Sequence, residues 1–162
     1  MPAADCPRWP DWLPELPRLD DPDHSRQVRI PMGVVVHSGE HAARVAESVL
    51  EDGRGVSYHI AWHSARGEYV QLVSLRDRAY HAGPRGNHWV GVALPGPYDL
   101  DPRPDEQRVA FRAMMELLLS AFAGGLWWWC RHSDIDVNKK DPGPGFRDDW
   151  LAGMGLRWRR AG

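Results

Sequence analysis

Two apolar stretches each run directly into a histidine. Val28–Val36 closes on three consecutive valines before His37, and Leu126–Arg131, with its Trp-Trp-Trp-Cys run, leads into His132. A stretch as apolar as Val34–Val36 suits a buried central strand, covered on both faces. Strand ends are where a rigid sheet can hold side chains in fixed positions while the loops beyond leave an opening. Asp141 follows nine residues after His132. Two histidines and an aspartate are zinc-type donors, and three protein ligands with a fourth position left for water is the catalytic zinc pattern.

The rest of the chain reads as one α/β domain built on a central mixed β-sheet flanked by helices. Residues 1–28 hold six prolines and read as an extended arm that lays Trp9, Trp12, Leu13 and Leu16 on the body. The body is residues 29–162. Ser38 is the expected N-cap of a helix over about 40–52, with Ala42, Val45, Ala46, Val49 and Leu50 as its apolar stripe and Gly53 as its stop. Val56–His63 alternates, with Val56, Tyr58, Ile60 and Trp62 on one face and Ser57, His59, Ala61 and His63 on the other. A turn at Arg66-Gly67 leads into Glu68–Ser74, making a β-hairpin. Trp89–Leu94 is a further strand. A helix over about 105–123 turns Ala110, Met114, Leu117, Leu118 and Ala121 inward, with Gly124 closing it. A short helix is expected at 147–153.

Lys139 and Lys140 are the only lysines; every other basic side chain is arginine. A chain that otherwise writes its positive charge as arginine points here to a need for an ammonium, a compact charge with a movable pKa. The formal net charge of −2, with no basic cluster beyond Arg157, Arg159 and Arg160, argues against a nucleic-acid partner. No apolar stretch approaches the ~18 residues of a membrane span. The N-terminus lacks the basic and apolar regions of a Sec signal, so cytoplasmic synthesis is expected. Cys6 and Cys130 have no metal-type spacing. They form either one disulfide or two thiols, and Cys130, one pleat behind His132, reads as a buried thiol.

Six patches, in order, carry a resemblance. They are Val-Val-Val-His-Ser (34–38), Gly-Val-Ser-Tyr-His-Ile (55–60), Gly-Glu-Tyr-Val-Gln-Leu-Val (67–73), Ala-Tyr-His-Ala-Gly (79–83), Asn-His-Trp-Val-Gly-Val-Ala-Leu (87–94) and His-Ser-Asp-Ile…Lys-x-Asp-Pro-Gly-Pro (132–144). Over about residues 30–146 the chain resembles the zinc amidases that cleave N-acetylmuramoyl-L-alanine bonds, a family that includes phage endolysins and peptidoglycan recognition proteins. The resemblance implies Zn²⁺ held by His37, His132 and Asp141, with Lys139 as the functional lysine and Lys140 as the lesser candidate. Tyr58 is implied as the residue acting on the water. His81, Asn87 and Trp89 are expected along the substrate groove, and His59 in a structural place.

The recycling branch of that family carries a glutamate base in Gly-Ile-Glu-Leu, where this chain has Ala93. The resemblance therefore implies a hydrolase of the muramic acid–L-alanine amide in peptidoglycan or muropeptides, in the phage or prophage endolysin branch. Such an enzyme would work as a monomer and reach the wall through a holin-type lesion or on lysis. The alternatives are a non-catalytic peptidoglycan-binding domain and an intracellular muropeptide-recycling amidase.

Overall fold

The Val-Val-Val run forms the middle of a mixed sheet and is buried along its whole length. The computed structural model describes residues 10–26, 31–39, 44–52, 55–123 and 125–161. In chain order the elements are β1 (His24–Arg26), β2 (Gly33–Ser38), α1 (Val45–Asp52), β3 (Ile60–His63), β4 (Glu68–Gln71), β5 (Asp77–Ala79) and α2 (Gly83–Gly86). They continue with β6 (Val90–Leu94), α3 (Asp105–Ala121), β7 (Trp128–Arg131), α4 (His132–Ile135), a 3₁₀ turn (Asp148–Leu151) and β8 (Arg157–Trp158). The main sheet has the order β4-β3-β6-β2-β7-β8, and β1 and β5 form a separate two-stranded sheet. The pairs around β2, with β6 and β7, are parallel, whereas β3 and β4 form the expected antiparallel hairpin.

Alternation along β2 sends its residues to two different cores. Val34 and Val36 pack with Phe111, Met115 and Leu118 of α3, while Val35 faces Ala82, Cys130 and Ile135. Each fully buried valine contributes about 2 kcal/mol by leaving water. A third cluster joins Val45 and Ala46 of α1 to Ala61, Val70 and Ala93. Glu47 ties α1 to the β3–β4 turn by accepting from the Ser64 hydroxyl at 2.6 Å and the Ala65 amide at 3.0 Å. At that turn Gly67 takes a φ of +66°, where a side chain would be strained.

In the described part of the arm, residues 10–26, apolar side chains reach the core. Leu13 is buried and Leu16 partly so, and the Leu13 amide donates to Gln71 Oε1 at 2.7 Å. The Arg18 guanidinium lies 3.8 Å over the Trp12 ring. Trp9 and Cys6 lie outside the described residues.

Several expectations are corrected. Ser38 is the last residue of β2 and spends its hydroxyl on the Pro142 carbonyl, so it is not the cap of α1, which starts at Val45. Gly53 and Gly124 lie outside the described residues. The strand expected from Val56 starts only at Ile60. The reason is local: the Gly91 amide donates to the His59 ring at 3.0 Å, so an imidazole takes the place of a backbone acceptor and the ladder stops. On α3 the buried residues are Phe111, Met114, Met115 and Leu118 rather than Leu117. Phe111 meets the ring pile of Phe146 and Trp150, which turns the helix face. The segment 147–153 forms a single 3₁₀ turn.

Candidate metal centre and active site

His37 stands near the carboxyl end of β2, and His132 opens α4 directly after the parallel neighbour β7. Both side chains therefore emerge at the same end of the sheet, where α/β folds hold ligands. Asp141 comes back to them on the loop after α4, pinned by the Ser133 amide donating to its carbonyl at 3.1 Å. His37 Nδ1 lies 3.1 Å from His132 Nδ1 and 3.1 Å from Asp141 Oδ2, and His132 Nδ1 lies 3.2 Å from the same oxygen. All three residues are buried.

These residues fit a zinc ion. A tetrahedral zinc about 2.0–2.1 Å from each donor spaces its ligand atoms roughly 3.3 Å apart, close to the separations here. Two imidazole nitrogens and a carboxylate oxygen are also its usual donors. Burial holds His37 below the ordinary imidazole range, against the pull of Asp141. Burial opposes ionisation of Asp141 too, but hydrogen bonds with His132 and His37 outweigh it and hold the carboxylate below its usual range. A neutral imidazole at His37 beside an ionised carboxylate at Asp141 is the form in which each binds a metal.

The centre forms part of the wall of a cavity of about 780 Å³. Tyr58 also lines that cavity, half-buried, with its ring 5.0 Å from that of His37. Because β3 starts at Ile60, Tyr58 is freed from strand alternation and packs on the α1 side with Ala61. Lys139 is exposed on the cavity lip, whereas Lys140 does not line it. Ala93 pairs with His37 in register and is buried, so no carboxylate approaches from β6. Arg85 and Arg160 reach the same cavity. They were missed in the sequence, although Arg160 belongs to its one arginine cluster.

Of the three residues expected along the substrate groove, His81 lines the cavity, whereas Asn87 and Trp89 do not. His81 Nδ1 lies 2.9 Å from His37 Nε2, and its Nε2 lies 3.0 Å from the Trp89 carbonyl oxygen. The ring is 5% exposed, and burial holds it well below the ordinary imidazole range. Asn87 is corrected from groove contact to loop clamp, since its Oδ1 accepts from the amides of His81 and Ala82. Trp89 is corrected from substrate platform to core residue, packed with Val35 and Cys130. Cys130 is a free, buried cysteine, and burial pushes its thiol up to about 12.

His59 is structural, as expected. Its Nδ1 accepts from Gly91 and its Nε2 donates to the Asp77 carbonyl at 2.9 Å. Burial lowers its pKa to about 4. The unfolded chain takes up this proton near pH 6.5, before the folded one can. The resulting stability is fully present above about pH 6.5 and falls as pH drops towards 4, by up to about 3 kcal/mol. A lower urea midpoint at pH 4.5 than at pH 7 is expected, with a smaller difference in His59→Asn. Equal differences in the two proteins would contradict this assignment.

Comparison with known proteins agrees with this geometry. The sequence model of the N-acetylmuramoyl-L-alanine amidase family matches residues 26–144. No curated protein sequence matches the chain. In fold it is similar to AmpD, at 22% identity and a TM-score of 0.68 over 91% of this chain and 97% of that one. It is also similar to the endolysin amidase LysCS from Clostridium intestinale URNW, at 16% identity and a TM-score of 0.68 over 91% and 99%. A third likeness is to the Ph2119 endolysin from the Thermus scotoductus MAT2119 bacteriophage Ph2119, at 16% identity and a TM-score of 0.65 over 86% and 99%. With the family model covering most of its length and this sheet beneath the site, the chain belongs to the N-acetylmuramoyl-L-alanine amidase family.

Proposed function

We propose that this chain is a zinc-dependent hydrolase of the amide between N-acetylmuramic acid and L-alanine in peptidoglycan, acting as a wall-lytic endolysin. The observation that carries the reading is the convergence of His37 Nδ1, His132 Nδ1 and Asp141 Oδ2 within 3.1–3.2 Å, with His132 and Asp141 in the wall of a cavity and His37 buried behind them. His37, His132 and Asp141 would hold a zinc ion there, and it would supply Lewis-acid chemistry for the scissile carbonyl and for a water of lowered pKa.

The chain's own side chains do the rest. Lys139, on the lip, donates to the carbonyl oxygen as negative charge develops on it. Tyr58, beside His37, takes part in carrying the water proton towards the leaving amine of L-alanine. The endolysin branch is favoured by Ala93, because the β6 position next to His37 offers no carboxylate base and leaves that work to Tyr58. Arg85 and Arg160 add positive charge to the cavity, which suits the carboxylates of a stem peptide. AmpDh3 from Pseudomonas aeruginosa, similar in fold at 22% identity and a TM-score of 0.59 over 79% of this chain and 61% of that one, is described in complex with an anhydromuramic pentapeptide.

The arm is read as residues 1–28 and the catalytic body as residues 29–162, with Leu13 and Leu16 of the arm's described part packed on the core. Among the described residues no helix is long and apolar enough to cross a membrane.

Digestion of purified cell walls by zinc-loaded protein tests the reading. Mass spectrometry is expected to find free lactyl carboxylates together with stem peptides bearing a new L-alanine N-terminus. Bound zinc without release of stem peptides would leave a peptidoglycan-binding domain and sink the hydrolase.

A further inference from the structure

We propose that His81 is a positioning residue: its ring holds His37 in the single tautomer that turns a bare Nδ1 towards the metal. The inference rests on the zinc reading of the site and goes beyond it by assigning the proton on each ring.

The assignment follows from donors and acceptors alone. The Trp89 carbonyl can only accept, and it lies 3.0 Å from His81 Nε2, so the proton of His81 is on Nε2. A neutral imidazole has one donor and one acceptor nitrogen, so His81 Nδ1 carries a lone pair. That lone pair faces His37 Nε2 at 2.9 Å. His37 must therefore donate from Nε2, and its own lone pair is on Nδ1, the atom 3.1 Å from both His132 Nδ1 and Asp141 Oδ2. One backbone carbonyl thus sets two imidazoles in series. The partner of the outer ring nitrogen commonly fixes which nitrogen of a histidine binds metal.

The surroundings are built for this ring. A Cβ on Gly91 would come within 2.6 Å of the His81 ring carbons, so β6 can pass the ring only with glycine there. Asn87 Oδ1 clamps the amides of His81 and Ala82 at 2.9 and 2.7 Å, which fixes the loop from which the ring enters. The Trp89 side chain is buried, which anchors the carbonyl at the far end. Asn87 and Trp89 thus support His81, which both lines the cavity and backs His37.

Two measurements test the proposal. In a ¹⁵N spectrum of the imidazole nitrogens, His81 is expected as the Nε2–H tautomer, with His37 also protonated at Nε2. A proton on His81 Nδ1 would overturn the assignment, whether or not zinc is bound. Zinc affinity by chelator competition gives the second readout. His81→Leu is expected to bind zinc about 10- to 100-fold more weakly. His81→Asn, whose Oδ1 can stand where Nδ1 stood and accept from His37, is expected to recover most of that loss. Wild-type affinity in His81→Leu would refute the positioning role, whereas absence of zinc from the wild-type protein would refute the zinc reading and leave the ¹⁵N test of the tautomer standing.

Discussion

Replacing His132 by alanine is expected to lower kcat/KM on cell walls by at least about 10⁴-fold, because zinc brings the pKa of its water from 15.7 to about 7 and that gain is lost with the ion. The three donors act as a unit. Removing one opens the pocket to solvent, and the remaining pair at 3.1 Å, His37 Nδ1 and Asp141 Oδ2, becomes an ordinary hydrogen bond or ion pair. Asp141→Ala should lose as much, since it takes away the one anionic ligand and leaves two neutral imidazoles. Exhaustive chelation of the wild-type protein should reproduce the loss, and added zinc should restore activity in wild type but not in the variants. The fold should survive these changes, because the main packed cores of Phe111, Met115, Phe146 and their neighbours lie away from the site. Circular dichroism of the variants checks this. Undiminished wall digestion by the His132→Ala protein after chelation would remove the metal from the mechanism.

His37 and His132 were legible because an apolar run that ends on a histidine leaves few places for the ring except a strand end in a sheet. Asp141 was legible as a zinc-type donor nine residues beyond His132, and the lysine pair as the chain's only ammoniums, but only the resemblance chose Lys139 over Lys140, since a loop carries no period to read. The support behind His37 was not legible. Whether Asn87 and Trp89 face a groove or the interior, and what His81 holds behind the cavity wall, depend on tertiary neighbours that local sequence does not encode. The same cause shortened β3, where the His59 ring takes over a backbone contact. The face of α3 was read about one position off because the large rings of Phe146 and Trp150, distant in sequence, draw Phe111 inward. β8 has only two residues, too few to show alternation, so the arrival of Arg160 at the cavity could not be foreseen.

The neighbouring lysines should separate sharply. Lys139→Ala is expected to lower kcat by about 10²- to 10³-fold, the usual cost of losing one donor to a developing oxyanion. Lys139 is exposed in the lining of the cavity that His132 and Asp141 also line, whereas Lys140 is exposed and outside that lining. Lys140→Ala should therefore change kcat by no more than about twofold, in keeping with a surface substitution. The loss at Lys139 should fall on kcat more than on KM, because the charge it meets exists only in the transition state. Lys139→Arg adds a further discrimination. A guanidinium keeps the charge but spreads it over a planar fork, so most of the activity should return if charge alone matters, and most should stay lost if a compact donor is required. Zinc content must be unchanged in all three variants, since neither lysine is a ligand. An alanine at 139 that leaves kcat intact, or one at 140 that abolishes it, would move the oxyanion donor to the other residue.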